Sequence, residues 1–235
     1  MEQLIKELQI ETDKLDGKFN LSPSSPGSLH PVYPFNRFEY LISHLIACQA
    51  VSLERYLKIR SSYLERNKYL YLFEMSPRTF GETWGQRHLN EMVPELQPPA
   101  KSLDPEYSGQ YDFWYDGIRI EVKASRAVKR KSGETLLIKA LSKNSKSGFD
   151  MNFQQIKPAC CDVFVWIGVW RDAIRYWVLS SREVETCRYY SVGQHRGNAG
   201  EGQLWIKETN INDFDCYEVS VSELLDMIIK KGKHQ

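Results

Sequence analysis

Two acidic residues and a lysine fall in one short segment whose other residues alternate as in a β-hairpin. The segment is YDFWYDGIRIEVKAS, residues 111–125, and the three residues are Asp112, Glu121 and Lys123. Carboxylate oxygens suit Mg²⁺, which typically takes one or two carboxylates and completes its shell with water and substrate phosphates. Lys123 lies two residues beyond Glu121, so its ammonium group projects from the same face of a strand. These residue types indicate a magnesium site with an ammonium group beside it.

The turn of this hairpin sets which residues face each other. Asp116-Gly117 is typical of a two-residue type I′ turn, because both positions of that turn need a positive φ angle. A two-residue turn here places Asp112 opposite Glu121. Directly opposed residues bring their Cβ atoms to roughly 4.5–5.5 Å, so the two carboxylates repel each other unless a cation lies between them.

Alternation along the two strands predicts one apolar face and one charged face. The predicted core-facing residues are Phe113, Tyr115, Ile118, Ile120 and Val122. The predicted charged face carries Asp112, Trp114, Arg119, Glu121 and Lys123. An alternative interpretation is a surface ion cluster in which Lys123 only neutralises the two carboxylates.

The first part of the chain is predicted to be helical. Residues 2–15 favour a helix, and a long helical stretch begins at about Asn36, a plausible N-cap, and runs less regularly towards Arg66. Ser76 is the expected cap of a further helix that ends at about Met92. We expect residues 1–75 to form an N-terminal helical region used for dimerisation or DNA contacts, either as a separable subdomain or within the same domain, and residues 76–235 to form the core.

From about residue 107 the pattern changes to strands. After the hairpin, the predicted strands are TLLIKAL, CDVFVWIGVW, AIRYWVL and LWIKE, of which CDVFVWIGVW is apolar enough to be buried on both faces. Short helices are predicted around Asn152 to Lys157 and after the Ser180/Glu183 capping box, and an amphipathic helix is predicted to end near Gly232. The expected fold is α/β, with a mixed β-sheet flanked by helices.

Composition limits the class of protein. The chain has 235 residues, 42% of them hydrophobic, which excludes a disordered tail. Its five cysteines form an odd set without C-x-x-C spacing, which argues against a disulfide framework and a zinc site. No run of about 18 apolar residues and no basic, apolar leader is visible, so we expect a non-membrane, non-exported protein.

Charge is unevenly distributed along a nearly neutral chain. The formal net charge is +1, yet nine basic residues stand against two acidic ones between Arg119 and Lys146. Such a segment is a candidate phosphate-binding surface, and a solvated basic loop is the alternative. The candidate DNA contacts in this loop are Arg126, Lys129, Arg130 and Lys131.

Asp112, a hairpin and then Glu121-Val122-Lys123 resemble the PD-(D/E)xK nuclease motif. The basic loop, the segment with Gln155 and the strand CDVFVWIGV are similar to those of type II restriction endonucleases of that superfamily. The resemblance covers roughly residues 75–180, and Tyr111 stands where the name-giving proline would be. An acidic-x-Lys triplet alone carries no weight, since Asp16 to Lys18 is another one without a strand around it.

The resemblance implies a restriction-endonuclease-like core and a Mg²⁺-dependent DNA endonuclease, with Mn²⁺ as a substitute metal. It implies Asp112, Glu121 and the carbonyl of Val122 as metal ligands, and Lys123 as the group that orients the attacking water. It further implies cleavage of a specific short double-stranded sequence to 5′-phosphate and 3′-hydroxyl ends by a homodimer. A prokaryotic cytoplasm and a companion DNA methyltransferase gene follow from the same resemblance.

Further site candidates each have a structural alternative. Glu82 resembles an acidic residue on the preceding helix, but Thr79-x-x-Glu82 also has capping-box spacing. Gln155 resembles the polar residue that follows the motif, but it also suits an exposed helix position. The loop GQHRGNAGEGQ is either flexible or reads bases, because it carries side chains that bond base edges. Its candidate DNA contacts are Gln194, His195, Arg196 and Asn198.

Other functions stay open at this point. A repair or junction-resolving nuclease would use the same chemistry on another substrate. A DNA-binding protein that cleaves nothing would keep the basic loop, although opposed carboxylates next to DNA phosphates have no purpose in a binder. A structural protein with an incidental charge cluster is the remaining alternative.

Overall fold

A computed structural model describes residues 32–130, 132–193 and 201–233, together with four helical positions near the N-terminus. These four positions are Gln3, Lys6, Glu7 and Ile10. The chain divides into two compact units, residues 1–66 and residues 67–235. The boundary therefore precedes the predicted one at residue 75, because the 3₁₀ turn Leu70–Phe73 belongs to the second unit and is buried there.

The described residues of the first unit are largely helical, as predicted, but the predicted long helix is broken. A 3₁₀ turn, Phe35–Phe38, leads into helix α1, Glu39–Ala47, and helix α2 covers Leu53–Arg66. The prediction of a single helix capped by Asn36 is wrong, since Asn36 lies inside the 3₁₀ turn. Gln49 adopts a left-handed conformation with φ 58° between the two helices, which interrupts the α-helical path.

The second unit contains nine strands among its described residues. They are β1 Phe113–Tyr115, β2 Ile118–Arg126, β3 Val128–Lys129, β4 Phe149–Ile156, β5 Val163–Val169, β6 Ile174–Ser180, β7 Tyr190–Val192, β8 Gly202–Lys207 and β9 Glu218–Val219. One sheet has the order β1-β2-β5-β6-β9, with β2 and β5 parallel and its other pairs antiparallel. The other sheet has the order β3-β4-β8-β7 and is antiparallel. The predicted mixed α/β class is confirmed.

Strand β5 forms the centre of the core, as its composition predicts. Every residue of β5 is buried, because β2 and β6 flank it and packed side chains cover both of its faces. The second sheet packs its apolar face here: the rings of Phe153 on β4 and Trp166 on β5 stack with centroids 5.2 Å apart. Two sheets thus share one core.

Helices flank the two sheets. A π-helical turn, Thr79–Trp84, continues as α3, Gly85–Met92, and the remaining helices are α4 Leu136–Lys139, α5 Ser181–Glu185 and α6 Leu224–Lys233. Short 3₁₀ turns cover Pro158–Cys160, Ile211–Tyr217 and Val221–Glu223. Within the described residues, no helix combines the length and apolar character needed to cross a membrane.

Several predicted helix boundaries agree with the structure. Ser76 caps the helix ending at Met92, since its Oγ accepts a hydrogen bond from the Thr79 N–H at 3.2 Å. The Ser180/Glu183 capping box is present in full. Both features depend on local side-chain chemistry, which the sequence shows directly.

Two elements were predicted with the wrong type. TLLIKAL is not a strand, because residues Leu136–Lys139 form the helical turn α4; a short apolar run fits either structure by its periodicity. The helix predicted around Asn152 to Lys157 is instead the end of strand β4. Phe149, Met151 and Phe153 are buried at every second position, and this alternation is typical of a strand and not of a helix.

Candidate active site

The hairpin has the predicted turn and register. Asp116 and Gly117 take φ angles of 45° and 85°, as a type I′ turn requires. Phe113 faces Ile120 and Tyr115 faces Ile118, and Phe113, Ile118 and Ile120 are buried in the core as predicted. Two positions differ from the prediction: Tyr115 is only partly buried, and Trp114, predicted on the charged face, packs against the hydrophobic core. The charged side chains therefore leave the sheet on the opposite face.

Asp112 lies immediately before β1 and is fixed from two sides. Its own N–H donates to the Ile120 carbonyl at 3.0 Å, which continues the hairpin by one residue. Its carboxylate accepts a hydrogen bond from the Val122 N–H at 2.8 Å and another from Nε2 of Gln86 at 2.5 Å. The carboxylate is thereby held against β2, next to Glu121.

Glu121 and Lys123 form an ion pair on the same face. The Nζ of Lys123 lies 2.6 Å from Oε1 of Glu121, and the two side chains are only 18% and 16% exposed. Asp112, Glu121 and Lys123 thus meet at one point, as the hairpin register predicts. A pair this deeply set is shielded less by water than a surface pair, which makes the alternative of an ordinary surface ion cluster less suitable.

The pKa values of the two carboxylates are raised above their usual range. The pKa of Glu121 is raised to about 7: burial is the largest cause, the charge of the nearby Asp112 adds to it, and Lys123 opposes both effects. Burial also raises the pKa of Asp112, against the hydrogen bond from Val122 and the charge of Lys123. Negative charge is therefore costly here without a further cation.

The three residues lie between two cavities of the second unit. One cavity of about 480 Å³ is bounded by β2, by the bulged part of β4 and by the helical segment that contains Glu82 and Gln86. A second, of about 300 Å³, lies beside Lys157. Asp112, Glu121 and Lys123 line both. The carboxylates therefore border open space in both cavities.

Helix α3 approaches β2 closely enough to bring Gln86 to Asp112. A Cβ at Gly85 would lie 3.2 Å from the Cβ of Ala124 on β2, so a larger residue would push the helix away. Gln86 was not among the predicted site residues. It follows Glu82 by four residues on the same helical segment, and that spacing is the signal that could have identified it.

Glu82 lines the larger cavity but does not join the carboxylate pair. Its Oε2 lies 2.8 Å from Nε of Arg78, and its side chain is 61% exposed. The capping-box alternative is wrong, because Ser76 provides the cap and Thr79 lies inside the helical segment. A metal-site role for Glu82 stays a prediction.

Gln155 lines both cavities, although it lies on a strand and not on the predicted helix. Its φ angle of 55° places it in the left-handed region, which is uncommon for a residue other than glycine. It is exposed and borders the same space as Asp112 and Glu121. Val122 also lines the larger cavity, with a buried side chain, and the metal-ligand role predicted for its carbonyl stays open.

The basic segment is not one exposed loop. Arg126 ends β2 and is buried: its Nη1 donates to the carbonyls of Leu72 and Met75 at 2.9 Å, and its guanidinium lies over the ring of Phe80. Burial lowers its pKa to about 10. The exposed position predicted for Arg126 is therefore wrong, because these carbonyls replace water as its acceptors.

The other predicted DNA contacts divide into two groups. Lys129 is exposed at the end of β3, and Arg130 is bound in ion pairs to Asp150 and Glu208 at 3.0 and 3.2 Å. The remaining predicted DNA contacts lie outside the described residues. These undescribed candidates are Lys131, Gln194, His195, Arg196 and Asn198. The acidic-x-Lys triplet at Asp16 to Lys18 also lies outside the described residues.

No group of three or more His, Cys, Asp or Glu side chains is placed to hold a metal among the residues that the structure describes. Asp112 and Glu121 are a pair, so a cation there would need backbone, water or substrate oxygens as well. In comparisons with known proteins, no family model matches this chain. No curated protein matches it either.

Proposed function

We propose that this protein is a Mg²⁺-dependent DNA endonuclease that hydrolyses phosphodiester bonds within a specific short duplex sequence. The observation that carries the proposal is the meeting of Asp112, Glu121 and Lys123 beside a cavity of about 480 Å³. The proposed class is a type II restriction enzyme acting as a homodimer, and its fold would be a restriction-endonuclease-like core. A motif hairpin that runs into β2, parallel to the buried β5, supports that core.

The donor set fits a hard divalent cation. Asp112 and Glu121 offer carboxylate oxygens, and burial raises both pKa values although Lys123 opposes it, so a bound cation would stabilise their charged forms. Mg²⁺ would be held by these two residues and the carbonyl of Val122. When bound, the metal would stabilise the charge that develops on the phosphate and on the leaving oxygen.

Lys123 would act on the water and the phosphate. Glu121 fixes the ammonium group at 2.6 Å, so it cannot swing freely into solvent. An ammonium group held there can orient a water for attack and favour its loss of a proton beside the scissile phosphate. The products would carry 5′-phosphate and 3′-hydroxyl ends.

Gln86 and Val122 would keep Asp112 in position during this reaction. Two N–H donors satisfy the carboxylate from the protein side, which leaves its remaining lone pairs for a cation. The donors also restrict the rotation of the carboxylate. Asp112 would therefore act as a preorganised ligand and not as a flexible surface acid.

A digest of phage DNA tests the proposal directly. The purified chain is incubated with phage DNA and Mg²⁺, with EDTA as the matched control. Discrete bands that depend on Mg²⁺ are the expected result for a sequence-specific endonuclease. A smear would replace the restriction class with a nonspecific nuclease, and intact DNA would overturn the proposal.

A further inference from the structure

Strand β4 carries a bulge at the edge of the larger cavity. Phe153 pairs with Leu204 on β8, and the next pair is Ile156 with Gly202, so two residues of β4 stand against one residue of β8. The two residues are Gln154 and Gln155. The one opposite them is Gln203, and three glutamines therefore meet at one irregularity of the sheet.

An asparagine completes this group. Asn152, two residues before Gln154, donates from Nδ2 to Oε1 of Gln203 at 3.3 Å. We call these four residues the amide cluster, and they are Asn152, Gln154, Gln155 and Gln203. The three members on β4 line the cavity that contains Asp112 and Glu121.

The fold keeps the amide cluster on the outer face of the second sheet. The inner face of β4 is apolar and packed, since Met151 and Phe153 are almost fully buried. Without a bulge, successive side chains would alternate and only one of the two glutamines would be exposed. The extra residue exposes both Gln154 and Gln155 towards the cavity side.

This arrangement has an energetic cost. A residue other than glycine at φ 55° lies in a region that L side chains rarely adopt, and the ladder hydrogen bonds of β4 are interrupted at the bulge. Bulges of this kind re-aim side chains near functional sites. The cost falls at Gln155, where the bulge brings two amides to the cavity that contains the carboxylates.

The chemistry of the cluster differs from that of a phosphate-binding surface. Phosphates are bound by positive charge, whereas amides are neutral and carry a donor and an acceptor side by side. That pair matches the N7 acceptor and the N6 amino donor of adenine in the major groove. Asp150, two residues before Asn152 on β4, is paired with Arg130 at 3.0 Å.

We infer that the amide cluster reads base edges of the DNA beside the scissile bond, with Gln154 selecting an adenine. This inference rests on the proposed function, because it takes duplex DNA as the substrate in the cavity. The hydrogen bond between Asn152 and Gln203 would hold the neighbouring amides in place. Sequence preference would then depend partly on β4 and β8, and β4 lines the cavity that contains the carboxylates.

Selection from randomised duplex DNA tests this without requiring cleavage. The full-length chain binds the duplex pool in Ca²⁺, which replaces Mg²⁺, and the bound duplexes are sequenced. Wild type is expected to enrich a short motif that contains an A·T pair. Gln154→Ala is expected to lose about tenfold of the discrimination at that pair, and Gln203→Ala to weaken it. Gln97→Ala, an exposed glutamine outside both cavities, is the matched control and should keep the motif.

A second variant guards against a folding defect. Gln154→Glu keeps the length of the side chain but removes its donor, and a carboxylate accepts from the amino group of cytosine. We expect the preferred base at that position to change from adenine to cytosine. An unchanged motif in both Gln154 variants, or no motif with wild type, overturns the inference.

Parallel digestion in Mg²⁺ separates this inference from the proposed function. If wild type enriches a motif that depends on Gln154 but cuts no DNA, the amide cluster reads bases in a protein that is not a nuclease. If wild type cuts DNA but enriches no motif, the nuclease stands and the inference fails. Each outcome therefore decides one of the two statements.

Discussion

Nε2 of Gln86 donates a 2.5 Å hydrogen bond to the carboxylate of Asp112, across 26 residues of sequence. Helix α3 and the motif hairpin are thereby joined at the point where the proposed chemistry occurs. The Val122 N–H supplies the second donor, so the orientation of Asp112 depends on both the helix and β2.

Replacing Gln86 should reduce DNA cleavage while leaving the fold intact. Groups that hold a metal-binding carboxylate typically contribute 10–100-fold to activity or metal affinity, so we expect Gln86→Ala to lower the cleavage rate by about tenfold or more. Gln86→Glu should be worse, since it adds a like charge beside Asp112. The measurement is the cleavage rate against Mg²⁺ concentration.

Arg87→Ala is the matched control for the Gln86 variants. Arg87 is the next residue on the same helix, and its side chain is 67% exposed in a pair with Glu91. This variant should cleave at the wild-type rate. Equal rates for Gln86→Ala and Arg87→Ala would mean that the hydrogen bond does not position Asp112.

Neutral isosteres of the two carboxylates should separate cleavage from binding. Asp112→Asn and Glu121→Gln keep the shape of each side chain but remove the negative charge that would hold the metal. Cleavage should fall by about a thousandfold or more, because charge stabilisation in the transition state is lost. DNA binding in EDTA should stay equal or become tighter, since less negative charge faces the phosphates.

Glu91→Gln serves as the control for this pair, because its exposed carboxylate lies outside both cavities. Cleavage is measured on a labelled duplex and binding by fluorescence anisotropy. Normal cleavage by either Asp112→Asn or Glu121→Gln would show that the site lies elsewhere. Loss of both binding and cleavage would indicate a folding defect, which thermal denaturation would reveal.

The hairpin could be predicted almost completely from sequence because its determinants are local. The Asp116-Gly117 turn fixes the register, and the register fixes which side chains share a face. The meeting of Asp112, Glu121 and Lys123 follows from that alone. The identity of any bound ion does not, and Mg²⁺ stays a prediction.

The partners of these residues depend on contacts that no local pattern encodes. The hydrogen bond from Gln86 requires the close approach of α3 to β2. Arg126 was predicted in a basic loop because its neighbours are basic, whereas its burial against the ring of Phe80 is a tertiary effect. The bulge at Gln155 likewise arises from pairing with β8, a strand about 50 residues away.

Stability should fall at acidic pH through His88. Burial lowers the pKa of His88, Glu91 opposes this slightly, and its Nε2 bonds the Tyr176 hydroxyl at 2.7 Å. A histidine whose pKa is lower in the folded state favours folding fully above its unfolded pKa of about 6.5, and this contribution is lost as the pH falls below it. His88→Gln, which does not titrate, should lose less stability than wild type between pH 7.5 and pH 5.

Urea denaturation at both pH values measures this difference. The free energy of unfolding of wild type should decrease more on acidification than that of His88→Gln. Parallel decreases in the two proteins would assign the acid sensitivity to other groups. Because His88 is partly exposed and ring-stacked on Trp84, the variant is also expected to be less stable than wild type at pH 7.5.

Gly168 in the buried strand β5 should not tolerate a methyl group. A Cβ at this position would lie 2.6 Å from Cζ3 of Trp177 and 3.1 Å from the sulfur of Met151. Both side chains are fully buried, so neither can move without displacing the packing between the two sheets. Gly168→Ala should therefore reduce the free energy of unfolding by about 1–3 kcal/mol. Gly133→Ala is the control, because nothing lies within 4 Å of its Cβ position, and equal stabilities of the two variants in urea would contradict this packing.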